Sequence, residues 1–186
     1  MAQCGRHDLQ TAISVLTKQV GEDKTDEDDY KKLTRVAKYM HRTKFLCLTI
    51  EVTYLDQNHW FIYAAYAVHD ELRSSTGAYA TFGKGMIDGS AKGQRINTTN
   101  PTEAEVVGVH KNMPTILWIR YFVEAQGYSL RPTKVHHNNL SGRQLKTNKR
   151  APISKQTRYT NTIYISLLQT YRSVNTLQLT TVKLME

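Results

Sequence analysis

Two cysteines in 186 residues, Cys4 and Cys47, are too few for a disulfide framework, and they form no C-x-x-C pair. Cys47 stands in an apolar run and is expected to be a small buried residue, Cys4 a terminal thiol. No apolar run approaches the roughly 18 residues of a membrane span. The opening Met1-Ala2-Gln3-Cys4-Gly5-Arg6-His7-Asp8 has no apolar core of a secretory signal, so an intracellular compartment is expected. The most informative shortage is of carboxylates. After Glu124 there is none until Glu186, whereas that stretch carries Arg131, Lys134, Arg143, Lys146, Lys149, Arg150, Lys155, Arg158, Arg172 and Lys183. With a net charge of +9, such a segment suits a polyanionic partner, because phosphates release counterions to it. A plain solvated basic surface would have the same composition.

What is present reads as alternating helices and strands. Leu9, Ile13, Leu16 and Val20 recur at helical spacing before Gly21. A second helix is expected with Thr25 as cap and Asp26-Glu27-Asp28-Asp29 in its first turn. Tyr30, Leu33, Ala37 and Met40 form its apolar stripe, and Lys38, His41 and Arg42 its basic end. Acid first and base last complements the helix dipole, which explains the acidic cluster without a metal. From Lys44, Leu46, Leu48, Ile50 and Val52 alternate with Cys47, Thr49 and Glu51 as in a half-buried strand. Asp56-Gln57-Asn58 is a turn, and His59 to Ala67 suits a central strand covered on both faces. Strands over Thr76–Phe82 and from Met86 toward Ile96, joined at Gly83-Lys84-Gly85, complete an antiparallel meander.

Asn100 as N-cap, Pro101 at the first helical position and Glu103 at the third mark a long helix ending near Gly127. Pro114 is expected to kink it or split it in two. A short strand over Lys134–His137, a short helix from Ser141, a basic loop and a strand near Thr160–Ile165 follow, with the tail from Gln169 open. This is an α/β order with a mixed sheet.

Several local motifs are rejected. Five residues separate Gly77 from Gly83, where a phosphate loop needs four, and Gly85 stands where Ser or Thr should hold magnesium. His136 and His137 are adjacent, so in a strand they point to opposite faces and do not share one ion. Asn97-Thr98-Thr99 and Asn139-Leu140-Ser141 fit the glycosylation pattern but carry little meaning without a secretory signal.

Four blocks in order carry more weight: Arg73-Ser74-Ser75-Thr76-Gly77, Asn100-Pro101-Thr102-Glu103-Ala104-Glu105, Ile116-Leu117-Trp118-Ile119-Arg120-Tyr121-Phe122 and Asn138-Asn139-Leu140-Ser141. Together they resemble the RNase H domain of Copia-type (Pseudoviridae-like) retrotransposon polyproteins, over about residues 8 to 166. That resemblance implies an α/β, RNase H-like fold. Its five-stranded mixed sheet would combine an antiparallel meander of three strands with parallel strands, flanked by helices. Residues 1–43 would be a helical extension like the segment after reverse transcriptase, and 44–186 the domain, with 167–186 undecided.

RNase H chemistry in that family resembles two-metal catalysis, in which carboxylates hold two magnesium ions about 4 Å apart. The resemblance maps the four acidic positions onto Tyr63, Glu105, Asn138 and Asn161. Only Glu105 keeps a carboxylate, and alone it cannot organise two divalent ions. The expectation is therefore a catalytically inactive module without a resident cofactor. It would bind an RNA/DNA hybrid through Arg143, Lys146, Lys149, Arg150, Lys155 and Arg158. One alternative is a residual magnesium-dependent ribonuclease built on Glu105, with Asp70, Glu71 or Glu103 as substitute ligands. The other is a non-catalytic structural or protein-interaction module within a larger assembly.

Overall fold

The computed structural model describes residues 5–17, 25–68, 73–98, 100–137 and, as backbone, 177–181. A 3-10 turn, His7–Leu9, leads into α1, Gln10–Leu16; α2 follows at Glu27–Arg42. The strands are β1, Glu51–Val52; β2, His59–Ala65; β3, Ser75–Thr81; β4, Gly83–Lys84; β5, Asp88–Gly93; β6, Thr133–His137; and β7, Leu177–Thr181. Between β5 and β6 runs α3, Pro101–Ala125.

Five strands form one sheet in the order β5-β3-β2-β6-β7. The β5-β3-β2 pairs are antiparallel; β2-β6 and β6-β7 are parallel. The meander and the central place of β2 agree with the expectation. The fifth strand lies in the tail left open by the sequence, while the strand expected near Thr160–Ile165 and the helix from Ser141 fall outside the described residues.

α3 builds the core. Asn100 caps it by accepting from the Glu103 N–H at 2.9 Å, with Pro101 in the first turn. Val107, Ile116, Ala104 and Met113 are buried along its length, against Trp60 and Ile62 of β2, Ala78 and Ala80 of β3 and Val135 of β6. Gly108 marks the closest approach. A Cβ there would lie 3.1 Å from Thr76 Cγ2 and 3.6 Å from Ile62 Cγ2, so the missing side chain lets the helix settle onto the sheet. Pro114 does not split the helix, which runs unbroken over 25 residues. A single lost N–H donor is outweighed by the continuous apolar face on either side. Gly127, at φ +90, ends it as expected.

The expectation for residues 44–52 is corrected. Only Glu51–Val52 forms a strand, paired with β4 and not with the main sheet, and Leu46, Leu48, Ile50 and Val52 are all exposed. Alternation signals a strand only when a second layer covers one face, and among the described residues none covers this one. Cys47 is accordingly exposed, not buried. The tight turn expected at Gly83-Lys84-Gly85 is replaced by a longer connection between β3 and β5, in which Gly83 and Lys84 pair with β1 as β4 and Gly85 takes a positive φ. In α2 the cap is Asp26, not Thr25: Asp26 accepts from the Asp29 N–H at 2.9 Å and Asp29 reciprocates. The acidic cluster is thus helix-start chemistry, with Asp28 and Asp29 also holding Lys32. Tyr30 and Leu33 of the expected apolar stripe are exposed. Among the described residues β2 is covered fully on one face, with Trp60 and Ile62 buried and His59, Phe61 and Tyr63 half-buried on the other.

Candidate functional site

The sheet alternation and the start of α3 decide which side chains meet. On β2, Trp60, Ile62 and Ala64 take the face toward α3; on β6, Thr133, Val135 and His137 take the same face. The parallel register pairs Trp60 with Val135 and Phe61 with His136, so His137 ends β6 beside the level of Ile62. Gln94 Nε2 donates to Thr76 Oγ1 at 2.8 Å and to the Ala104 carbonyl at 2.7 Å, which fixes the first turn of α3 at this end of the sheet. Glu105 follows one residue later.

There the Glu105 Oε2 and His137 Nδ1 lie 3.8 Å apart, with side chains 16% and 5% exposed. That spacing is an ion pair if the imidazole is protonated, and too long for a hydrogen bond. Glu105 Oε2 is buried and makes no hydrogen bond among the described residues. The site is therefore a carboxylate and an imidazole in a half-closed nest at one end of the sheet.

Of the four positions of the family mapping, Tyr63 and Glu105 are described, and they are not brought together. Tyr63 has the opposite parity on β2. It lies on the face away from α3, with Phe61 and Tyr79, and is not brought to Glu105. The β2 residues on Glu105's face at this end are Ile62 and Ala64. A one-residue shift is easily missed in the run Tyr63-Ala64-Ala65-Tyr66-Ala67, where no carboxylate anchors the register. Asn138 follows His137 in sequence. It, Asn161 and the basic residues Arg143, Lys146, Lys149, Arg150, Lys155 and Arg158 lie outside the described residues. His136 and His137 do face opposite ways. The sequence reading missed His137 as a neighbour of Glu105; its one signal is its place directly before the Asn138 block.

Two-magnesium chemistry needs several anionic oxygens converging on hard cations. Beside Glu105 the β2 face offers a buried isoleucine and an alanine, and β6 offers an imidazole. Among the described residues, no three His, Cys, Asp or Glu side chains are grouped to hold a metal. The described side chains around Glu105 do not by themselves make a two-magnesium centre, and Asp70, Glu71, Asn138 and Asn161 lie outside the described residues. No helix among the described residues is long and apolar enough to cross a membrane.

No family model matches this chain, and no curated protein matches it. Solved structures do. The foamy viral protease-reverse transcriptase in complex with double-stranded DNA is similar, with 14% identity and a TM-score of 0.56 over 94% of this chain and 34% of that one. The same viral protein in complex with an RNA/DNA hybrid gives 14% identity and a TM-score of 0.54, over 96% and 22%. An RNase H1 isolated from compost by a metagenomic approach gives 10% identity and a TM-score of 0.50, over 68% of this chain and 84% of that one. At such identities the likeness is one of fold. The chain has an RNase H-like fold, α/β with a mixed sheet and flanking helices.

Proposed function

We propose that this chain is the RNase H-like part of a Copia-type retroelement polyprotein that no longer hydrolyses RNA and still binds nucleic acid. Residues 1–43 would connect it to a preceding module, and 44–186 would be the domain. The observation that carries this reading is the surroundings of Glu105. The fold presents an RNase H-like sheet end, yet Ile62, Ala64 and His137 stand around the one carboxylate. Binding is assigned to Arg143, Lys146, Lys149, Arg150, Lys155 and Arg158, in the acid-free stretch after Glu124. The hybrid seen with the foamy viral protein of the same fold makes an RNA/DNA hybrid the first ligand to test.

Affinity for a labelled hybrid should fall steeply with salt, log K dropping by about 0.9 per phosphate neutralised for each unit of log salt. Reversing Arg143, Lys146, Lys149 and Arg150 to Glu should flatten that slope and weaken binding. Binding that ignores salt, or none at all, would sink the assignment.

One further observation favours a scaffold role alongside it. Tyr30, Leu33 and Tyr39 of α2 and Phe45, Leu46, Leu48 and Ile50 after it are all exposed, a run of large apolar side chains left open to a partner. A protein complex that survives nuclease treatment would favour the scaffold over the nucleic-acid reading.

A further inference from the structure

The face of the sheet turned away from α3 carries a ladder of rings. Tyr79 of β3 stacks on Phe61 of β2 with centroids 4.7 Å apart, Phe61 stacks on His136 of β6 at 4.4 Å, and His136 stacks on His59 at 5.2 Å. All of these planes agree within 12° or 13°. Register explains the order: Phe61 pairs with Tyr79 on one side and His136 on the other. Beside the ladder lies a cleft of about 510 Å³ whose lining includes Tyr54, Gln57, His59, Phe61, Tyr79 and Lys84. Among the described residues neither Asp nor Glu lines it.

The two histidines are neutral near pH 7. Burial, then the charges of His59 and Lys134, pushes His136 down to about 4; burial and Lys134 push His59 down as well. Their rings share one hydrogen bond, Nδ1 of His59 to Nε2 of His136 at 3.0 Å. Lys134, paired with His59 in the register, makes no ion pair among the described residues. Lys84 holds Glu51 at 2.8 Å in a solvent-exposed pair that an incoming anion can replace. An uncharged row of ring edges that ends in the half-exposed Tyr79, opposite Gly89 of β5, with lysines and an amide beside it, matches one chemistry: a heteroaromatic base stacked on the outer face of that end ring and followed by a phosphate.

We propose that this cleft, on the opposite side of the sheet from Glu105, binds an unpaired base of a single-stranded nucleic acid, stacked at the Tyr79–Phe61 end with a flanking phosphate on Lys134. The ligand class rests on the nucleic-acid reading above; the location does not.

A labelled oligothymidylate titrated at low salt tests this by fluorescence anisotropy. Tyr79→Leu should weaken binding roughly tenfold or more while thermal unfolding stays unchanged. Lys134→Gln, which also serves if Tyr79→Leu fails to fold, should lower the salt slope by about one. Affinity indifferent to both changes overturns the proposal. Thymidine monophosphate competing at equal concentration would overturn the single strand as ligand and assign the cleft to free nucleotides. If hybrid binding ignores salt while oligothymidylate still responds to Tyr79→Leu, the duplex reading fails and the cleft stands. The reverse pattern removes the cleft alone.

Discussion

Ala64→Asp combined with Asn138→Asp is expected to give the chain magnesium-dependent cleavage of an RNA/DNA hybrid, whereas Tyr63→Asp combined with Asn138→Asp is not. The two double variants add the same charges one residue apart. In a strand, one residue is the whole difference between faces. Ala64 shares the α3 face of β2 with Ile62 and lies opposite Thr76, whose hydroxyl and the Ala104 carbonyl are bridged by Gln94. An aspartate at 64 therefore joins Glu105 at the same end of the sheet. An aspartate at 63 joins Phe61 and Tyr79 in the ring ladder and leaves Glu105 unaccompanied. Ile62 is the less suitable host, because it is 1% exposed and a carboxylate there would be stranded in the core. The check is single-turnover cleavage of a labelled hybrid in magnesium. Equal activity from both double variants would show that the face assignment is wrong.

The second large effect concerns stability. Arg120→Leu should cost about 2–4 kcal/mol, because it strands acceptors that a charged donor now satisfies. The Arg120 guanidinium donates to the Arg131 carbonyl at 2.7 Å and the Leu130 carbonyl at 2.9 Å, and pairs with Glu124 at 2.7 Å. It is 7% exposed, so little water can take its place. The clamp continues outward: the Arg131 N–H donates to the Asp56 carbonyl at 2.7 Å and its guanidinium pairs with the Asp56 carboxylate at 2.6 Å. The last turns of α3 are thus tied to the segment that feeds β6, which carries His137. Thermal unfolding should move down by roughly 5–15 °C, whereas Trp118→Ala, at an exposed ring stacked on Phe122, should move it little. Similar shifts for both would mean that the clamp carries no special share of the stability.

Particular residues show how far the sequence was readable. Asn100 and Pro101 announced α3, since a cap and an N-terminal proline are local chemistry that tertiary contacts need only accept. The block Ile116 to Phe122, taken from family likeness, has a physical reason in Arg120, which no periodicity argument would single out. Leu46, Leu48, Ile50 and Val52 misled because their alternation is indifferent to whether a covering layer exists. Tyr63 is a related case: with no aspartate in the run to mark the position, one residue of alignment decides which face of β2 it takes. The pairing of Glu105 with His137 depends on β2 and β6 lying side by side, a contact across more than 70 residues of chain that local patterns do not encode.

The proposed function has an RNase H-like fold that persists here without the carboxylates a two-metal site would need. The most direct measurement is cleavage of a labelled RNA/DNA hybrid by the native chain in magnesium and in manganese, with binding read in the same samples. The expected result is a bound and intact hybrid in both metals, unchanged by Glu105→Gln. Cleavage by the native chain that Glu105→Gln abolishes would contradict it.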